Sequence, residues 1–131
     1  MRLRTVCMAL ALSWLAAAPA MADDRVRLLG TTRLAHHEND VDVVSVACRP
    51  RVSAIKLRAA KGQAEIESVW VRYGNGDRDT LHVRDRLRQG GETRWVDLIG
   101  GRRCVVAVGV VGDTELSLDQ TRIEIYGRYG R

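Results

Sequence analysis

The side chains of this sequence that could do chemistry fall into four groups, and spacing decides among them. His36-His37-Glu38-Asn39-Asp40 is the stretch richest in ligand atoms. Imidazoles with carboxylates can hold zinc or copper, but adjacent histidines in an extended chain point in different directions. A site there needs a third ligand from elsewhere, with His82 or Asp42 as the candidates. Asn75, Asp77 and Asp79 alternate as the opening of a calcium loop does. Thr80 stands where that loop needs glycine and Arg86 where it needs a bidentate glutamate, so a hairpin turn is the expected reading. Trp70 with Arg72, and Arg94-Trp95 with Asp97, are the third group. Tryptophan beside planar hydrogen-bonding groups suits a sugar ring. The same tryptophans suit core packing, because the chain has no phenylalanine.

Catalysis has the thinnest support. There is no G-x-S-x-G elbow, and Ser45, Ser53, Ser68 and Ser117 have no neighbouring base. Glu65 and Glu67 share one side of a strand without the environment an acid pair needs. No catalytic residue and no cofactor is expected.

The elements that would position these groups follow a leader. Arg2 and Arg4, an apolar run from Val6 to Ala18, and the small residues of Ala20-Met21-Ala22 have the anatomy of a secretory signal peptide over residues 1–22. The run is shorter than the ~20 residues a membrane span needs, so no span is expected after cleavage. Removing 22 of the 131 residues leaves 109, the length of a single domain over residues 23–131. The formal charge falls from +5 to +3 with Arg2 and Arg4 gone. So small an excess is weak evidence for a polyanionic partner. The preponderance of arginine over Lys56 and Lys61 reads as coding composition, and export argues against nucleic acid. Cys48 and Cys104 remain in the mature chain. An isolated pair in an oxidising compartment is expected to form a disulfide, with free thiols or a metal pair as the competing readings.

Period-two alternation dominates the mature sequence. Strands are expected at Arg25–Thr32, Val41–Ala47, Val52–Ala59, Ala64–Tyr73, Thr80–Leu87, Thr93–Ile99, Arg103–Val111 and Thr121–Tyr126. Arg84–Arg88 could instead form a helical turn. Gly74-Asn75-Gly76-Asp77 and Gly90-Gly91 read as turns. Thr93–Ile99 and Arg103–Val111 read as a central hairpin about Gly100-Gly101. The second arm is apolar on both faces, as a covered central strand is. The expected fold is all-β: a small antiparallel β-sandwich of seven or eight strands with one disulfide.

Several segments in order resemble the YaaI-like family of small exported bacterial proteins, a domain of unknown function (DUF2541). They are RLLG at Arg27–Gly30, Cys48 ahead of Ile55-Lys56-Leu57, Val69–Tyr73, Thr93–Leu98 and Arg103-Cys104-Val105. The resemblance implies an exported β-rich domain with a disulfide, and the family brings no established activity with it. The functional expectation is a non-enzymatic periplasmic or secreted binding or envelope-associated module whose partner is an envelope component or glycan. The alternatives are sugar recognition through an exposed tryptophan and metal binding through His36 and His37.

Overall fold

The computed structural model describes residues 25–34, 40–114 and 121–129. The signal segment, His36 and His37 lie outside the described residues, as do Leu116 and Leu118, which the sequence assigns to a loop pinned on the core.

Nine strands run through the described residues: β1 (Val26–Leu34), β2 (Asp40–Ser45), β3 (Ala54–Lys61), β4 (Ala64–Tyr73), β5 (Arg78–Leu81), β6 (Asp85–Leu87), β7 (Val96–Asp97), β8 (Val105–Asp113) and β9 (Thr121–Arg128). All pairings are antiparallel. They build two sheets, one in the order β1-β9-β3-β7 and the other β2-β8-β4-β5, with β6 also on β4. The fold class read from the sequence therefore holds.

Alternation explains how the sheets pack. Ile55, Leu57 and Ala59 of β3 are buried with Ile123 and Ile125 of β9, while Lys56 and Arg58 between them face outward. Val69 and Val71 of β4 meet Val108 and Val110 of β8 in register and belong to the same core. β8 lies between β2 and β4 in its sheet; Val108 and Val110 face the core, and on the other face the Trp70 indole lies over Gly109. At about 25 cal/mol per Å² of apolar area removed from water, such side chains contribute roughly 1.5–3 kcal/mol each.

The structure corrects three details. Thr80–Leu87 is two strands, β5 and β6, joined by His82–Arg84 and both paired to β4, so no helical turn forms at its end. The strand count thereby exceeds the expected seven or eight. Thr93–Ile99 and Arg103–Val111 are not a hairpin, because the first follows β3 and the second crosses to the other sheet. Backbone contacts hold the first in place: Ala59 N–H donates to Gly91, Thr93 N–H to Leu57 and Leu98 N–H to Ser53. The buried Thr93 hydroxyl oxygen also accepts from Leu57 N–H at 3.0 Å. The β4–β5 connection is the expected tight turn. Gly76 adopts φ 91°, Gly76 N–H donates to Tyr73, and Tyr73 N–H closes the loop on Asp77.

Candidate functional site

The expected residues do not form one platform. Trp70 and Arg72 project from the outer face of the second sheet, and Trp95 lies against the outer face of the first. Trp70 pairs with Gly109 of β8, and a Cβ on Gly109 would overlap the indole. The ring thus fills the space that glycine leaves on the sheet. The Arg78 guanidinium stacks at 4.0 Å from its centroid, with Arg72 at 5.9 Å. Only 7% of Trp70 is exposed, so this outward-facing tryptophan is already covered by its own protein and offers no ring face to a sugar. Trp95 is half-buried, with the Lys56 ammonium at 4.8 Å and the Arg128 guanidinium at 5.0 Å from its centroid. Asp97 pairs with Arg128 at 3.6 Å, and Arg94 is exposed.

Asn75 and Asp77 serve the turn. Asp77 N–H donates to the Asn75 side-chain oxygen at 2.9 Å, and Asn75 Nδ2 donates back to the carboxylate at 3.0 Å. His82 is exposed between β5 and β6. Among the described residues no group of three or more histidine, cysteine, aspartate and glutamate side chains comes together around a metal-sized space.

The structure instead concentrates charge at the disulfide. Cys48 and Cys104 are bonded, with Cα atoms 4.6 Å apart. Each cysteine is flanked by arginines in sequence, as Cys48-Arg49-Pro50-Arg51 and Arg102-Arg103-Cys104. Joining the cysteines therefore brings two basic segments from distant parts of the chain to one end of the sandwich. Backbone bonds reinforce the join: Val52 and Arg103 exchange N–H···O bonds of 3.0 and 2.8 Å, and Gly74 N–H donates to Cys104 at 2.9 Å. Tyr129 N–H donates to the Arg25 carbonyl at 2.8 Å, which adds the outer end of β1.

Two clefts open there. The larger, about 640 Å³, is lined by Arg25, Arg49, Pro50, Arg51, Arg102 and Tyr129. The smaller, about 410 Å³, is lined by the disulfide, Tyr73, Gly74, Asn75, Arg103 and again Arg51 and Arg102. Five arginines border the pair, and no aspartate or glutamate is among the described residues lining them. Arg103 is structural: it donates to the Ile99 carbonyl at 2.8 Å and stacks at 3.7 Å on the Tyr73 ring. Burial, with the Asp79 carboxylate adding to it, pushes the Tyr73 phenol up to about 12, so it stays protonated under Arg103. Arg49, Arg51 and Arg102 are exposed and make no ion pair among the described residues. Sequence reasoning missed this cluster by counting arginines instead of placing them, although their positions beside both cysteines were the signal.

Neither the curated proteins nor the solved structures hold a match to this chain. Residues 5–127 match the family described as "Domain of unknown function (DUF2541)". That span includes both bonded cysteines and the five arginines of the clefts, and the chain belongs to the DUF2541 family.

Proposed function

We propose that the protein is an exported, non-enzymatic binding module of the cell envelope that takes an anionic ligand at its disulfide end. The observation that carries this reading is the pair of clefts bordered by five arginines and by no acid among the described residues. Guanidinium groups present planar forks matched to phosphate and carboxylate oxygens, bind them more tightly than neutral donors do, and stay charged at any physiological pH. A net charge of +3 on the mature chain is too small to make the whole surface sticky, whereas a local cluster creates a directed field. Export is supported by the signal-like residues 1–22 and by the cysteine pair, which suits an oxidising compartment. An envelope is rich in polymers carrying phosphate and carboxylate groups, which fit such a site.

A second reading has one observation in its favour. Trp95 retains partial exposure between two cations on the outer face of the first sheet, a setting that a neutral sugar could use.

Calorimetric titration of the purified protein with polyphosphate, and separately with uncharged dextran, tests the two together. Binding to polyphosphate that weakens with salt, and by about tenfold or more in Arg51→Ala and Arg102→Ala, is expected. Polyphosphate binding that both substitutions leave intact contradicts the arginine site, and dextran binding lost in Trp95→Ala establishes the sugar reading in its place.

A further inference from the structure

We infer, resting on the anionic reading above, that Arg51 and Arg102 form a two-arginine clamp for a single phosphate group esterified to a saccharide. The placement of these two residues is the starting point. They alone among the arginines line both clefts, so they stand on the wall that divides the larger space from the smaller. They come from the two chain segments that the disulfide joins, Arg51 from the one entering β3 and Arg102 from the one entering β8. A group at the shared wall is within the lining of both segments.

That geometry selects among anions. A carboxylate takes one arginine fork across its two oxygens and keeps only single lone pairs for a second, whereas a phosphate monoester has three terminal oxygens, enough to give two forks a pair each with one oxygen shared. Arg103, the neighbouring guanidinium, is tied to the Ile99 carbonyl and to the Tyr73 ring and acts as a wall. Arg51 and Arg102 have no such commitment among the described residues, and both are exposed.

The two spaces beside the clamp differ in character, which defines what the phosphate is attached to. The larger offers Tyr129, which packs in part against the core and stays partly exposed, and Pro50 beside its arginines. An aromatic ring and a proline present flat apolar surface suited to the C–H face of a sugar ring. The smaller offers Asn75 and the Gly74 backbone. Asn75 spends one N–H and one oxygen lone pair on Asp77 and keeps the others for hydroxyl groups. At about 640 and 410 Å³ both spaces fall within the roughly 300–1,000 Å³ of small-ligand sites. A phosphorylated saccharide meets all three features: phosphate at the clamp, ring on Tyr129 and hydroxyls towards Asn75. A free sugar phosphate and a lipid with a phosphorylated sugar headgroup share this chemistry.

The test compares four probes on the wild-type protein and on Arg51→Lys and Arg102→Lys. The probes are a hexose 1-phosphate, inorganic phosphate, the free hexose, and neutral-lipid vesicles carrying a lipid with a phosphorylated disaccharide headgroup. Lysine keeps the charge but loses the fork, so these variants separate a clamp from general attraction. The inference predicts that the hexose phosphate binds about tenfold or more tighter than inorganic phosphate and that the free hexose fails. Each lysine variant should lose about tenfold or more for the hexose phosphate while retaining polyphosphate binding. Tighter binding to the vesicles than to the hexose phosphate assigns the headgroup as the source, equal binding assigns the free sugar phosphate, and either supports the clamp. Lysine variants that bind the hexose phosphate as wild type does, or inorganic phosphate binding as tightly as the ester, overturn the clamp and leave the anionic reading standing. That broader reading falls only if the alanine variants retain polyphosphate binding.

Discussion

Gly109→Ala should destabilise the domain by displacing a side chain on its outer surface. Gly109 sits mid-strand in β8 directly opposite Trp70, and the Cε2, Nε1 and Cζ2 atoms of the indole occupy the space of a Cβ. The backbone of a central strand cannot withdraw, so the indole must leave. A tryptophan buries about 150–250 Å², of which one face rests on the sheet and the other lies under Arg78. If roughly half of that area is re-exposed, about 25 cal/mol per Å² gives ~2–3 kcal/mol. Loss of the Arg78 stack adds ~0.5–1 kcal/mol. For a domain of this size the sum corresponds to a fall in Tm on the order of 10 °C or more. The assay is thermal unfolding, with tryptophan emission recorded on the mature form in a Trp95→Phe background so that Trp70 is the reporter. A lowered Tm with a red-shifted native spectrum is expected. Gly109→Ala with unchanged Tm and unchanged emission would refute the claim that Trp70 is seated on that glycine.

Three further expectations follow from other parts of the molecule. Cys48→Ser with Cys104→Ser opens a crosslink spanning 56 residues of sequence separation. The chain-entropy estimate for such a loop is about 4 kcal/mol, so the denaturation midpoint should drop sharply, and polyphosphate binding should weaken at concentrations where the variant is still folded. Thr93→Val removes the acceptor for the buried Leu57 N–H and should cost roughly 1–3 kcal/mol by urea unfolding; no measurable change would show that this contact is dispensable. Tyr73 holds its proton in the folded state up to about 12, while the unfolded chain gives it up near the ordinary 10. Its contribution is complete below pH 10 and is lost as pH rises towards 12, at a slope of at most about 1.4 kcal/mol per pH unit. Phenolate absorbance and alkaline unfolding should both show this in the wild type, and Tyr73→Phe should flatten the alkaline fall.

The sandwich was legible because burial imposes a period of two that composition cannot hide. Ala64–Tyr73 is read from sequence with the bounds the strand has, and the two-faced apolar run after Cys104 is correctly placed as central. The pairing of Thr93–Ile99 was not legible. Its alternation shows that the segment is extended, but which sheet it joins depends on β3 offering Leu57 and Ser53 to Thr93 and Leu98 across a long stretch of chain. Gly100 and Gly101 do adopt positive φ, yet the turn they make leads from one sheet to the other. Trp70 was ambiguous for a different reason. An outward register normally means exposure, and here a glycine beneath and an arginine above cover the ring. The arginine end was half-written in the sequence: Cys48-Arg49-Pro50-Arg51 and Arg102-Arg103-Cys104 meet as soon as the cysteines are joined. What no sequence pattern supplied is that Arg103 turns back onto Tyr73 while Arg51 and Arg102 face two clefts.

The most direct test of the arginine site is an NMR titration of the isotope-labelled protein with a hexose 1-phosphate, following arginine side-chain N–H and tryptophan indole signals together. The account predicts saturable shifts at Arg51 and Arg102, with the Trp70 and Trp95 indoles unmoved. Shifts that centre on the Trp95 indole while those arginines stay still would contradict it.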